Sequence, residues 1–528
     1  MKMGVTTCTE TEYPLEPLPV DSQVQSATAL DTTPTSPLAE AEAGDDEIIG
    51  KKRPKTVAVV TVCATGLNAI LSSLVIITFP KIASDLRLGP ELLTWPISVY
   101  ALTCGCTLLL LGSIADIVGS RPMYLTGMVL QTALILGCGL AQSAAQIITF
   151  RGLGGIASSF LLPTCVSIVS ETFPYGKDRN MAFALLSGSQ PVGFAIGLLL
   201  GGVFPDWRWG FHFAAIVSGI AGALAFWAIP RKKPKKRADL WVHLKYKIDW
   251  VGIAIGSACV GLLSYAFTTI TDHTYYIKKP GTITAFALSA VLAPVFVLWV
   301  GRQERLGKPA VIPNSLWHNR LFSCICLGLF LTWGALTSCD SYQSLFFQNV
   351  QHHSALQTAL RFLPGVVSAA LSNLAVGFLA HKVHIGWAIS GGMLLSSVGM
   401  LLMAIIQPEW SYWVCAFFAV ILSPIGGDAL FAVSNLVLTS CFPKQMQGLA
   451  GGVLNTITQL AKTVALATAG TLAGSVTSQT HEASKTSPAA LMEGYRAAFW
   501  YFFAMTCATI VLFIWGLRGI GKIMAKKE

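Results

Sequence analysis

Long apolar stretches dominate this sequence and limit its fold more than any other feature. Fourteen of them are long enough to cross the hydrocarbon core of a bilayer, which takes about 20 mostly apolar residues. Backbone polar groups inside lipid need internal partners, so each stretch is predicted to form a helix. The chain is therefore predicted to be an all-α polytopic membrane protein. The predicted spans lie near residues 57–80, 95–114, 123–142, 147–169, 181–204, 211–229, 250–269, 282–300, 320–340, 357–380, 386–406, 412–436, 448–473 and 497–517.

The composition argues against a water-soluble fold. Of the 528 residues, 53% are hydrophobic and only 12% are charged, whereas soluble chains carry about 25% charged residues. The 13 cysteines lie mostly inside apolar stretches and form no CxxC pair. We interpret them as small packing residues, and no metal site is predicted.

Charge is distributed unevenly along the chain. Residues 1–50 hold ten acids and one lysine, and the remainder carries a net charge of +19. The basic residues cluster between apolar stretches, as in the run from Arg231 to Arg237. Placing the N-terminus in the cytoplasm puts these clusters on the cytoplasmic side, as the positive-inside rule requires. Both termini are predicted to be cytoplasmic, and no nucleic-acid partner is expected.

The basic stretch after the sixth span divides the chain into six spans and eight. The economical interpretation is six helices, an inserted pair and six more, as in transporters built from repeats. We predict a disordered acidic tail at 1–56, a six-helix bundle at 57–230, a basic loop with two extra helices at 231–310, a second six-helix bundle at 311–518 and a basic tail at 519–528.

A short polar turn follows the second span. Its glycines, Gly112 and Gly119, allow a tight reversal, and Asp116 could hold a helix N-terminus or a basic partner in only one of two conformations. An incidental acid in a solvated loop is the alternative. With Ala115 and Arg121, these residues resemble the loop signature of the major facilitator superfamily, although the residue after the acid is not basic.

Arg151 lies about one turn into the fourth span. A central arginine costs about 2.5–3.5 kcal/mol on insertion scales, so it is expected to face a polar cavity or a carboxylate. Snorkelling to the membrane surface is the alternative. The arginine and the glycines that follow it resemble a second signature of the superfamily, in which this arginine is tied to proton coupling.

The fifth span carries small residues at four-residue spacing. Gly193, Gly197 and Gly201 form, with Ser189, a smooth face on which another helix can pack closely. With Pro191 upstream, the stretch resembles the glycine-proline signature of the superfamily's antiporter branch. The resemblance implies a hinge for alternating access, and ordinary close packing is the alternative.

Further motifs extend the resemblance over nearly the whole chain after the tail. Asp206–Trp209 and Asp249–Gly252 are similar to motifs of the drug:proton antiporter family with fourteen spans, and Leu93–Pro96 and Gly448–Asn455 are similar to its fungal members. The resemblance implies the major facilitator fold, with two six-helix bundles around a central cavity and an inserted helix pair.

Proton coupling needs a titrating group inside the membrane. Many of these antiporters have an aspartate near the position of Asn68, which cannot carry protons. Asp340 and Asp428 are the candidate carriers, and Lys462 is a candidate partner of Asp428 across a helix contact. A static structural pair is the alternative. The glycines and proline before Asp428 are expected to open its helix locally.

The sequence therefore predicts a monomeric, proton-coupled exporter in the plasma membrane. Its expected cargo is a small amphipathic organic molecule, namely a drug, a toxin or a fungal secondary metabolite, and the cargo class comes from the resemblance alone. The proton gradient is the expected energy source, with no cofactor. A facilitator of a small polar solute such as ammonium is the alternative. An ATP-driven pump is rejected because no phosphate-binding loop is present, and a membrane-embedded enzyme is not favoured.

Overall fold

The computed structural model describes most of the chain beyond the N-terminal tail. The predicted acidic tail lies almost entirely outside the described part, and the predicted basic tail at 519–528 lies wholly outside it. The described residues are 48–49, 54–88, 95–174, 176–232, 237–246, 248–272, 279–379, 385–441, 447–480 and 487–516.

Within these ranges the chain is helical apart from two strands of two residues each. The strands are β1 (Ile48–Ile49) and β2 (Arg231–Lys232). A π-helical turn, Phe346–Val350, extends α11. The helices are α1 (Pro54–Asp85), α2 (Trp95–Val118), α3 (Ser120–Gly139), α4 (Ala144–Thr172), α5 (Lys177–Val203), α6 (Trp207–Ala228), α7 (Arg237–Tyr246), α8 (Trp250–Asp272), α9 (Pro280–Arg305), α10 (Asn314–His318), α11 (Arg320–Leu345), α12 (Ala355–Leu379), α13 (Ile385–Ile405), α14 (Ala416–Cys441), α15 (Gln447–Gln479) and α16 (Pro488–Gly516).

Twelve of the helices in the described ranges are long and apolar enough to cross a membrane. The predicted spans at 386–406 and 448–473 fall on α13 and α15, which are not among the twelve. Side chains of α13 are described only for Ile389–Ile405, an apolar stretch that by itself is shorter than the twelve. In α15 the apolar sequence is interrupted by polar side chains that line a central cavity, namely Asn455, Thr458, Gln459 and Lys462.

Many apolar side chains point away from the protein interior. On α9, for example, Val291 is 58% exposed and Leu298 is 73% exposed. A water-soluble protein rarely leaves so extended an apolar surface uncovered. The outward face of the helices therefore fits a lipid environment.

Buried apolar side chains form two large clusters, one from five of the first six helices and one mainly from the last six, while α2 contributes to two further clusters. Buried side chains of α1, α3, α4, α5 and α6 make one continuous cluster. A second cluster is built mainly from α11 to α16 and includes the π-helical turn. The chain therefore consists of a first bundle, α1–α6, and a second bundle, α11–α16, each with its own apolar interior.

The two bundles meet mainly where α5 packs against α12 and α2 packs against α15. Helix α4 also packs against α15. The helices α8 and α9 pack against each other, and α8 also contacts α2 and α15. The space between the bundles is thus bordered by helices contributed from both.

Candidate functional site: a central cavity between the bundles

A cavity of about 180 Å³ lies between the two bundles. Its wall comes from four helices of the first bundle, α1, α2, α4 and α5, and four of the second, α11, α12, α14 and α15. Because both bundles supply the wall, any rocking of one bundle against the other changes the cavity's shape and access.

Three charged side chains line this cavity among the described residues: Asp340, Asp428 and Lys462. They come from α11, α14 and α15, so all three belong to the second bundle. Asp428 is only 5% exposed, and Asp340 interacts electrostatically with both Asp428 and Lys462. The structure brings together the three charged residues that the sequence singled out inside the membrane.

Their geometry differs from the predicted pairing. No nitrogen–oxygen distance of 4.0 Å or less joins Lys462 to either carboxylate. The sequence predicts that the span ends at Asp340, but α11 runs five residues beyond it and continues into the π-helical turn. Asp340 therefore lies inside a continuous helix, where its side chain faces the cavity.

The helix that carries Asp428 is not locally opened, contrary to the expectation from its proline and glycines. α14 is continuous from Ala416 to Cys441 and includes Pro424. The backbone N–H of Gly426 donates to Ser396 Oγ of α13 at 2.8 Å. A Cβ on Gly426 would lie 2.5 Å from the carbonyl carbon of Gly392. Glycine is used here for close packing between α13 and α14.

Aromatic rings form part of the cavity wall. Trp333 and Phe431 are stacked, with ring centroids 4.6 Å apart and an interplanar angle of 28°. Phe194 of the first bundle meets Phe362 of the second edge to face at 6.4 Å. The cavity therefore combines ionisable groups with flat apolar surfaces, as sites for organic molecules commonly do.

A polar network lies on the first-bundle side of the cavity and was missed by the sequence analysis. Asn68 Oδ1 accepts hydrogen bonds from Tyr100 and from Ser158 Oγ, the latter at 2.6 Å. Gln131 Oε1 lies 3.5 Å from the same Ser158 hydroxyl, whose single hydrogen serves the shorter bond to Asn68. In the sequence only Asn68 stands out, as a position where related antiporters have an acid. Its partners come from α2, α3 and α4, and no spacing in the sequence links them.

Arg151 lies behind this network and does not line the central cavity. Its side chain is 4% exposed, its Nε donates to the carbonyl of Pro96 at 3.0 Å, and its guanidinium lies 4.5 Å from the centre of the Tyr100 ring. It therefore does not snorkel to the surface. Neither does it have a carboxylate within 4.0 Å among the described residues. A carbonyl and an aromatic face take the place of the expected acid.

The small-residue face of α5 packs against α1. A Cβ on Gly193 would collide with the carbonyl of Gly66, and one on Gly197 would collide with Ser73 and the carbonyl of Ile70. A Cβ on Gly201 would meet Ile77 and, at 2.9 Å, Thr78. These glycines permit backbone contact between the two helices, while Pro191 faces the cavity.

Asp116 joins the two bundles at one end of the α2–α15 contact. Its carboxylate accepts the backbone N–H groups of Gly448 at 2.7 Å and Leu449 at 2.9 Å, at the start of α15. Free N–H groups and the helix dipole make such a terminus attractive to an anion. A Cβ on Gly112 would lie 2.8 Å from the carbonyl oxygen of Gly448, so the helices touch here.

The other residues of the same motif shape the turn between α2 and α3. Gly119 has a φ of 106°, which side-chain-bearing residues rarely adopt. Arg121 does not bond Asp116. Its Nη2 donates to the carbonyl of Phe226 near the end of α6 at 2.9 Å, and its guanidinium lies 5.5 Å from the centre of that ring.

We predict that Asp116→Asn lowers stability by about 1 kcal/mol, because the charge at the α15 N-terminus is lost. Thermal unfolding of the purified protein in detergent measures this. Ser113→Ala is the matched control, because Ser113 Oγ bonds the carbonyl of Leu109 within its own helix at 2.9 Å. Equal unfolding temperatures for Asp116→Asn and the wild type would contradict the prediction.

Two helical bundles around a shared polar and aromatic cavity define a membrane transporter. The sequence matches the model of the Major Facilitator Superfamily over residues 61–466. The chain belongs to this superfamily, which confirms the family expected from the motifs.

Individual relatives are also named as transporters or efflux pumps. The chain is 35% identical over 508 residues to MFS-type transporter 1 of Pyricularia oryzae, covering 87% of this chain and 83% of that protein. It is 26% identical to efflux pump terG of Aspergillus terreus, covering 80% and 79%. It is also 26% identical to the low affinity ammonium transporter of Saccharomyces cerevisiae, covering 78% and 77%. The crystal structure of the human organic anion transporter MFSD10 has the same fold, with a TM-score of 0.61, 15% identity and coverage of 88% of this chain and 100% of that one.

Proposed function

We propose that this protein is a proton-coupled exporter of small amphipathic organic molecules. The observation that carries the proposal is the pair of carboxylates, Asp340 and Asp428, with Lys462 in a cavity walled by both bundles. Ionisable groups inside a membrane protein are costly and are typically kept for transport or proton relay. Relatives named as efflux pumps support the direction of transport.

In this mechanism the proton carrier is the acidic pair rather than the first helix, where Asn68 stands. Asp428 and Asp340 take up protons when the cavity opens outward and release them when it opens inward. Loss of a negative charge changes the relative stability of the two bundle arrangements, and this couples proton entry to cargo exit. Lys462 limits the net charge of the cavity when both acids are ionised.

The cavity wall supports an amphipathic cargo. The stacked Trp333–Phe431 pair offers a flat apolar face, and the amides of Gln190, Asn455 and Gln459 supply hydrogen-bonding groups. Such a mixture binds the apolar and the polar part of one molecule at the same time. A drug, a toxin or a secondary metabolite fits this description.

The remaining expectations are part of the same proposal. We infer that α13 and α15 cross the membrane with the twelve apolar helices, so that the chain has fourteen spans and α8 and α9 form the inserted pair. Both termini are then cytoplasmic, and Asp116 closes the cytoplasmic end. The protein acts as a monomeric antiporter in the plasma membrane, with multidrug resistance as the expected cellular effect and the proton gradient as its energy source.

Facilitation of a small polar solute is the second candidate. It is favoured by the relative named as an ammonium transporter and by the two cavity carboxylates, which would attract a small cation. The two candidates differ in driving force, because a facilitator needs no exchange of cargo for protons.

We predict that cells making this protein accumulate less of a lipophilic fluorescent dye than control cells, and that a protonophore removes the difference. A panel of fluorescent and toxic organic compounds, with labelled methylammonium as the polar probe, tests this. The Asp116→Asn variant reports whether the effect depends on the transport cycle.

Unchanged accumulation of every organic compound, together with faster methylammonium entry, would replace the exporter with the facilitator. A dye difference that persists after the gradient collapses would contradict proton coupling while leaving export in place.

A further inference from the structure

Asn373 is a fully buried polar side chain that the proposed transport mechanism does not use. It lies on α12 and is 0% exposed. Its amide nitrogen donates to the carbonyl of Ala369 at 3.0 Å. Its amide oxygen has no hydrogen-bond partner among the described residues. A buried acceptor left without a partner is costly, so such a group calls for an explanation.

Asn373 lies on the part of α12 that packs against α14 beside Asp428. The adjacent Ser372 Oγ donates to the carbonyl of Ile425, three residues before Asp428, at 2.8 Å, and the amide of Asn373 acts on the Asp428 carboxyl group. An ionised carboxylate only accepts hydrogen bonds, whereas a protonated carboxyl group also donates one. A primary amide does both, with two N–H donors and one acceptor oxygen. The unpartnered oxygen of Asn373 is therefore the acceptor that a protonated Asp428 would need.

Asn373 also lies where the bundles meet. A Cβ on Gly188 of α5 would be 3.4 Å from the Cβ of Asn373, an ordinary packing distance. The residue is thus placed between the proton site on α14 and the first bundle.

We propose that Asn373 is a positioning residue that serves Asp428 in both charge states, donating to its carboxylate and accepting from its protonated carboxyl. This rests on the proposed function, in which Asp428 carries protons. When Asp428 gains its proton, the amide turns to present its oxygen. The change occurs at the contact between α12 and α5, where it biases the arrangement of the bundles.

Other ionisable groups facing Asp428 act on the same titration. Asp340 on α11 interacts with it electrostatically, and Lys462 on α15 lines the same cavity. Among the described cavity residues, α5 and α12 contribute no charged side chain. Variants of Asn373 leave all of these charges in place. A change in the titration of Asp428 in such a variant therefore comes from the amide and not from the other charged groups.

Infrared difference spectroscopy of the full-length protein in lipid bilayers, titrated with pH, tests this proposal. The carboxyl band that disappears in Asp428→Asn is assigned to Asp428. In Asn373→Leu, this band is expected at higher wavenumber, because the carboxyl no longer donates to the amide. Loss of the charge-assisted bond to the carboxylate is expected to raise proton affinity about tenfold, moving the midpoint by about one pH unit.

Ser372→Ala is the matched control. Ser372 Oγ donates to the carbonyl of Ile425 at 2.8 Å, so this variant also removes a bond from α12 to α14 without touching the carboxyl group. Neither band position nor midpoint should move. Asn373→Ser keeps a donor and an acceptor and is expected to retain a hydrogen-bonded band. If the leucine variant does not fold, Asn373→Ala is expected to give the same shifts.

The outcomes separate the two proposals. If Asp428 titrates but its band and midpoint are the same in the leucine or alanine variant as in the wild type, the role of Asn373 is wrong and proton coupling stands. If no titrating band disappears in Asp428→Asn, both are wrong.

Discussion

Replacing Asp428 with asparagine is expected to abolish proton-driven export and return dye accumulation to the level of control cells. The variant keeps the size of the side chain but removes the charge that the proton neutralises. Asp428 is 5% exposed, and Asp340, the other acid in the cavity wall, is left alone to carry the proton in this variant. The dye-accumulation assay at matched expression measures the effect.

Exchange of labelled dye for unlabelled dye in proteoliposomes separates coupling from folding. It needs no net proton movement and should survive in Asp428→Asn. Glu493→Gln is the control for removing an acid, because Glu493 is exposed and does not line the cavity. Full proton-driven export by Asp428→Asn would show that the carrier is elsewhere, with Asp340 the next candidate.

Substitution of Gly197 by alanine is expected to destabilise the protein by about 1–3 kcal/mol, the usual cost of overpacking. The added methyl group would collide with Ser73 and with the carbonyl of Ile70, and backbone cannot move aside as a flexible side chain can. Thermal unfolding in detergent measures the loss. Export should fall as well. Helices α1 and α5 pack against each other and both line the cavity, so pushing them apart changes the cavity wall.

Gly474→Ala is the matched control for Gly197→Ala. Gly474 lies inside α15, and a Cβ there would have no neighbour within 4 Å. Alanine is favoured over glycine in helices by about 1 kcal/mol, so this variant should be unchanged or more stable. Equal stability changes in the two variants would show that close contact with α1 does not matter.

Much of the architecture was predictable because the bilayer imposes its own rules. A helix must be apolar over about 20 residues to cross it, so the sequence marks most spans directly. The span predicted at 448–473 falls on α15, which is not among the twelve apolar helices because polar side chains that line the cavity interrupt its apolar sequence. The ends of α11 and α14 also differ from the predicted spans, because a helix does not end where its apolar run ends.

The site was predictable in its parts but not in its arrangement. Asp340, Asp428 and Lys462 stand out because charge is rare inside apolar stretches. Asn373, Tyr100 and Ser158 do not stand out, since Asn, Tyr and Ser are tolerated in many membrane helices.

The sequence by itself determined the class of protein, the positions of most helices and the residues whose charge must be explained. Only the tertiary structure decided which of them meet: that Asp116 caps α15, that Arg151 lies against Tyr100 rather than an acid, and that no ion pair joins Lys462 to Asp428. The reason is physical. Hydropathy and charge cost are properties of single segments, whereas hydrogen bonds and close contacts depend on helices far apart in the chain.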